Sequence, residues 1–157
     1  MQDSSQDSSK VVAVIDDDEL MRDALRHLLW AFDCDVELYE SAEAFLAAVA
    51  ETKASCLLSD IQLGGMSGIE LGRKLAAAGT TFPTIFMTAS EDETIRQRAM
   101  ELGCIAFLNK PFAPLALAEA LIAADKRSAT KPRTNGLAAP VPEVIQDGYR
   151  FADKERL

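Results

Sequence analysis

Five short apolar runs, each followed by a stretch with helical spacing, constrain this chain more than any other feature. The runs are Lys10–Ile15, Val36–Tyr39, Ala54–Leu58, Pro83–Met87 and Cys104–Leu108. Nearly continuous apolar runs of this length are the pattern of strands buried on both faces. Between them, Leu20, Met21, Ala24, Leu25, Leu28, Leu29 and Phe32 form one helical stripe, and Leu71, Leu75 and Ala78 another. Ser67 with Glu70, and Ser90 with Glu93, have capping-box spacing at two helix starts. Pro114 suits the first turn of a last helix through Leu115–Ile122. Strict β-α alternation predicts an α/β fold, a doubly wound, five-stranded parallel sheet with helices on both faces, over residues 10–125.

The flanks read differently. Residues 1–9 are polar and acidic and are expected to be a disordered tail, not a signal peptide. Residues 126–157 read as a linker-like or partly ordered tail, because three prolines and a glycine break the pattern between Ser128 and Pro142. Glu143–Leu157 has room for one short element.

A hydrophobic content of 48% excludes wholesale disorder. The net charge of -9 argues against direct nucleic-acid binding, since there is no surplus of cations to displace counterions. Residues 128–157 carry five bases and four acids, so a net -10 sits in residues 1–127. No apolar run approaches the ~20 residues of a membrane span. Cys34, Cys56 and Cys104 are odd in number and lack a Cys-x-x-Cys pair, which suits reduced, buried thiols in a cytoplasmic protein.

In a parallel sheet of this kind, ligands bind at the carboxyl ends of the strands. The first run is followed by Asp16-Asp17-Asp18-Glu19, the third ends in Asp60, the fourth in Thr88 and the fifth in Asn109-Lys110-Pro111. Clustered carboxylates repel unless a cation holds them, and an oxygen-only donor set suits Mg²⁺. A lysine and a threonine facing the same point would neutralise and hydrogen-bond phosphoryl oxygens. Each residue alone is an ordinary cap or turn former. Their coincidence at four strand ends points to a Mg²⁺-dependent site where a carboxylate accepts phosphate.

The segments Ile15-Asp-Asp-Asp18, Leu58-Ser-Asp60-Ile-Gln-Leu-Gly-Gly-Met66-Ser-Gly68, Met87-Thr88-Ala89 and Asn109-Lys110-Pro111-Phe112 together resemble the signature positions of the receiver domain of two-component response regulators. The resemblance covers roughly residues 10–125 and implies a flavodoxin-like receiver fold. It implies that Asp60 is the phosphoacceptor, and that Asp16, Asp17, Asp60 and the Gln62 main-chain carbonyl bind Mg²⁺. Thr88 and Lys110 would contact the phosphoryl group, Thr88 and Phe107 would switch on activation, and Gln62 and Ser90 would tune phosphate lifetime. A cis peptide between Lys110 and Pro111 is also implied. The expected partners are a sensor histidine kinase or histidine phosphotransfer protein, a downstream protein, and a second copy through the helix-four to helix-five face. The chain would assist only its own phosphorylation and dephosphorylation, without being an enzyme in the usual sense. Where many receivers have Met-Pro, this chain has Leu63-Gly64 followed by Gly65, so a mobile loop after Asp60 is expected. Asp18 is read as a cap or solvated charge. His27 is read as a structural or surface residue, and Trp30 and Phe32 as core or rim packing.

Three rival readings differ in their demands. A haloacid-dehalogenase-like aspartyl-phosphate phosphatase would use the first acidic cluster, but Leu20 closes it where that motif wants threonine or valine, and no acidic pair follows Lys110. The receiver fragment of a DNA-binding transcriptional regulator would need an output element that the residues after 125 do not provide, which favours a stand-alone receiver. A scaffold-only pseudo-receiver would not need the full set of Asp16, Asp17, Asp60, Thr88 and Lys110.

Overall fold

Successive strand residues point to opposite faces of a sheet, so a strand covered on both sides must be apolar throughout. In β1 (Lys10–Ile15), Val12 and Val14 enter one apolar cluster and Ala13 and Ile15 another, and all four are fully buried. The computed structural model describes residues 10–130 and 145–146. The expectations for residues 1–9, and for most of the tail after Thr130, lie outside them.

The elements after β1 follow in strict alternation: α1 (Glu19–Ala31), β2 (Cys34–Tyr39), α2 (Ala42–Ala48), β3 (Cys56–Asp60), α3 (Gly68–Ala77), β4 (Thr84–Thr88), α4 (Glu93–Glu101), β5 (Ala106–Asn109) and α5 (Pro114–Thr130). The sheet has the order β2-β1-β3-β4-β5, all parallel, so the doubly wound expectation holds. A two-residue strand, β6 (Ile145–Gln146), adds in parallel to the outer edge of β5. Leu25 and Leu29 of α1 pack with Leu117 and Leu121 of α5 against one face. Phe45, Leu71 and Leu75 from α2 and α3 cover the other face, and Ala99 of α4 closes on Phe86 and Phe107 beside them. Each such buried Leu or Phe contributes roughly 1.5–3 kcal/mol.

Helix starts follow local hydrogen-bond chemistry. Asp18 caps α1 by accepting from Leu20 N–H at 3.0 Å, in the role expected of it. Ser67 and Glu70 form the reciprocal capping box at α3. The Ser90–Glu93 box does not form. Asp92 caps α4 instead, accepting from Thr94 N–H at 2.9 Å, while Ser90 Oγ accepts from Asp92 N–H at 3.0 Å. A carboxylate nearer the first turn outcompetes the hydroxyl for the free N–H groups.

Other expectations shift in detail. The last helix runs to Thr130 because nothing from Ala123 to Thr130 breaks a helix, and Pro132 is the first residue that would. Leu20 is 80% exposed and so lies off the buried stripe of α1. Trp30 is a rim residue, half exposed, with the Arg26 guanidinium 5.0 Å from its ring centre and the exposed His27 ring edge-on to it. Cys34, Cys56 and Cys104 are free and buried, and burial pushes the Cys56 and Cys104 thiols up to about 12. Among the described residues, no helix is long and apolar enough to cross a membrane.

Candidate functional site

Parallel register brings the strand-end residues to one level. Ile15 pairs with Ser59, which sets Asp16 beside Asp60. Asp60 pairs with Met87, and Thr88 with Asn109, so Thr88 and Lys110 follow one step further along the edge. Three main-chain bonds continue the ladders at this edge: Asp16 N–H to Tyr39 O (3.1 Å), Ile61 N–H to Met87 O (2.9 Å) and Lys110 N–H to Thr88 O (2.8 Å). Because β2 and β3 flank β1 on opposite sides, Asp16 and Asp60 sit where the winding reverses, the usual place for a ligand.

The centre of the site is charged and largely dry. Lys110 Nζ donates to Asp60 Oδ2 at 2.7 Å and to Asp16 Oδ2 at 3.0 Å. Asp16 is fully buried and Asp60 nearly so. Burial pushes the Asp60 carboxyl above its ordinary range, opposed by the Lys110 ammonium and the Gln62 N–H and assisted by the neighbouring Asp16. Burial also works against the Lys110 ammonium, but its bonds to the two carboxylates outweigh that and raise its pKa. One cation serving two acids is held charged.

The remaining bonds orient this centre. Asp16 Oδ1 accepts from Asp18 N–H at 2.9 Å, and its carbonyl accepts from the Arg22 guanidinium at 2.7 Å. Asp60 Oδ1 accepts from Gln62 N–H at 2.9 Å. Thr88 Oγ1 donates to Gln62 Oε1 at 3.0 Å and accepts from Ser90 N–H at 3.0 Å. Ser90 O in turn accepts from the Asn109 amide at 3.3 Å. The Lys110–Pro111 peptide is cis, as the resemblance implies. A cleft of about 340 Å³ opens to Lys110 between Ser90, Arg96 and Phe107. Phe107 is buried beneath α4, with the Arg96 guanidinium 5.8 Å from its ring centre. Asp16, Asp60, Gln62, Thr88, Ser90 and Lys110 thus form one bonded cluster, and Phe107 lines the cleft beside it.

Asp16, Asp17 and Asp60 can each offer an oxygen within 4.8 Å of the others, a donor set that could hold a metal ion. Asp17 is exposed and the other two are buried, so the set opens to solvent on one side. Hard oxygen donors of this kind suit a hard divalent cation.

Two supporting residues escape the sequence reading. Glu43 of α2 accepts from Met66 N–H at 2.9 Å, a contact between α2 and the loop after Asp60. A Cβ on Gly65 would lie 2.7 Å from that carboxylate, so the glycine makes room for the clamp. Gly68 lets α3 start against the end of β3, since a Cβ there would lie 2.5 Å from the Asp60 carbonyl oxygen. The quoted glycine motif carries a signal for Gly68, whereas Glu43 looks like any acid in a first helical turn.

Comparison with known proteins agrees with this geometry. The family described as "Response regulator receiver domain" matches residues 12–122. The chain is 41% identical over 101 residues to the transcriptional regulatory protein FixJ of Bradyrhizobium diazoefficiens, covering 64% of this chain and 49% of that one. It is 38% identical over 134 residues to FixJ of Azorhizobium caulinodans, covering 85% and 64%. Full-length FixJ from B. japonicum, a solved structure, superposes with a TM-score of 0.73 at 36% identity, over 78% of this chain and 61% of that one. The chain therefore spans about half to two thirds of the length of the curated relatives it matches.

Proposed function

Since the chain belongs to the response-regulator receiver family, we propose that Asp60 accepts a phosphoryl group from a phosphohistidine and thereby switches a protein-interaction surface. The observation that carries this reading is the Lys110 ammonium, shared between Asp60 at 2.7 Å and Asp16 at 3.0 Å at the β1/β3 crevice. An Asp60 carboxylate oxygen attacks phosphorus in line, forming the P–O bond as the P–N bond to the donor imidazole breaks and its electron pair returns to the ring. Lys110 holds a fixed positive charge beside the acceptor and offsets charge on the equatorial oxygens. Asp16, Asp17, Asp60 and the Gln62 carbonyl would hold Mg²⁺, which supplies further neutralisation of the phosphoryl oxygens. Gln62 N–H orients the acceptor carboxylate through Oδ1. Thr88 is the hydroxyl that moves to the phosphoryl group, and Phe107, buried under α4, is the residue that responds.

The donor is a histidine kinase or a histidine phosphotransfer protein, and the output partner is a protein or a second copy meeting the α4–β5–α5 face. The relatives named transcriptional regulators favour a second reading of the output alone, in which residues 10–130 are the receiver portion of such a regulator. Both readings share the same chemistry at Asp60.

Intact-mass measurement with acetyl phosphate and Mg²⁺ tests it. One phosphoryl group should be gained by the wild type and none by Asp60→Asn. Labelling that survives Asp60→Asn but is lost in Asp16→Asn would instead indicate a phosphatase-like acceptor.

A further inference from the structure

The one proton of the Thr88 hydroxyl is committed. Thr88 is fully buried, and a hydroxyl has one proton to donate. That proton goes to Gln62 Oε1 at 3.0 Å, while a lone pair accepts from Ser90 N–H at 3.0 Å. Thr88 therefore cannot donate to a phosphoryl oxygen without first giving up Gln62. Being β-branched, its side chain has few χ1 positions, so the exchange is between discrete arrangements rather than a gradual drift.

Gln62 also touches the acceptor. Its main-chain N–H donates to Asp60 Oδ1 at 2.9 Å, so one residue binds the acceptor carboxylate through its backbone and the hydroxyl through its side chain. Further along the same loop, Glu43 accepts from Met66 N–H at 2.9 Å.

We propose that the Gln62 side chain is a latch that holds Thr88 in its resting arrangement, and that phosphoryl capture must break the Thr88–Gln62 bond. Gln62 is thus a positioning residue that opposes activation and sets how readily the site accepts its ligand. The latch rests on the reading of Asp60 as phosphoacceptor. A neutral hydrogen bond of this type has a net worth that corresponds to about a two- to tenfold change in an equilibrium.

The test titrates the full chain with trifluoroberyllate in Mg²⁺, read by ¹⁹F NMR of the bound ligand, in a double-mutant cycle of Gln62 and Thr88. Gln62→Ala should bind about two- to tenfold more tightly than wild type. Gln62→Met, which keeps the length but lacks the amide oxygen, should do the same and guards against an effect of lost bulk. In the Thr88→Val background both substitutions should have no effect, because no hydroxyl proton is left to hold. Unchanged affinity in Gln62→Ala and Gln62→Met overturns the latch, as does a gain that persists with Thr88→Val. A change in dephosphorylation rate with unaltered affinity also overturns it, placing Gln62 on the attacking water instead. Wild-type protein that fails to bind trifluoroberyllate overturns the phosphoacceptor reading itself, and the latch with it.

Discussion

Gly68 shows how much a single missing side chain can decide. Its N–H donates to Ile61 O at 3.0 Å, and a Cβ would lie 2.5 Å from the Asp60 carbonyl oxygen and 3.1 Å from Ile61 Cα. Both are backbone atoms of β3 and its exit, so they cannot yield as a flexible side chain would. Gly68→Ala should therefore destabilise the fold by about 1–3 kcal/mol, lowering the thermal midpoint by roughly 3–15 °C. It should also slow labelling of Asp60 in the part that remains folded. Calorimetry with intact-mass labelling checks both, and an unchanged midpoint would show that the strand exit is pliable. The site residues themselves were legible at this scale. Asp16, Asp60, Thr88 and Lys110 close or follow apolar strands, and parallel register makes strand ends neighbours without any knowledge of side-chain geometry. The Thr88–Gln62 bond was not legible, because which acceptor a hydroxyl chooses depends on atoms 26 residues apart meeting within 3.0 Å.

Between elements, the loop from β3 to α3 is held by α2. Glu43 accepts a hydrogen bond from Met66 N–H, and that bond holds its carboxyl below its ordinary value. A lowered carboxyl pKa means a contribution present above the unfolded value and lost as pH falls through the folded one. The clamp is thus intact at neutral pH and releases only below the ordinary value of 4.5. Glu43→Ala should speed amide exchange over Leu63–Met66 at pH 7. Gly65→Ala should do so by the same route, since its Cβ would lie 2.7 Å from the Glu43 carboxylate and push it away. The double variant should then exchange no faster than either single one, and additive effects would show two separate causes. Strand and helix order could be read from periodicity, but this clamp could not, since it joins an acid on one helix to an N–H 23 residues later. The start of α4 was missed for a related reason: Ser90 and Asp92 both suit a cap, and spacing alone does not rank them.

Across the whole molecule, the sheet is asymmetric at its two edges. An open edge strand presents unpaired N–H and C=O groups that invite another chain. The β5 edge is met by β6, with Ala106 opposite Ile145 and Phe107 opposite Gln146. Five strands were legible as apolar runs, whereas a two-residue strand offers too few positions for any period to register. Its placement sets Gln146 beside Phe107 on β5. Replacing both Ile145 and Gln146 by proline removes the one N–H that β6 can turn toward β5. One lost hydrogen bond at about 1 kcal/mol should speed amide exchange in β5 by roughly fivefold. Exchange in β1 and β3, inside the sheet, should be unchanged. Equal protection of β5 in the wild type and the proline variant would mean that β6 does not guard this edge.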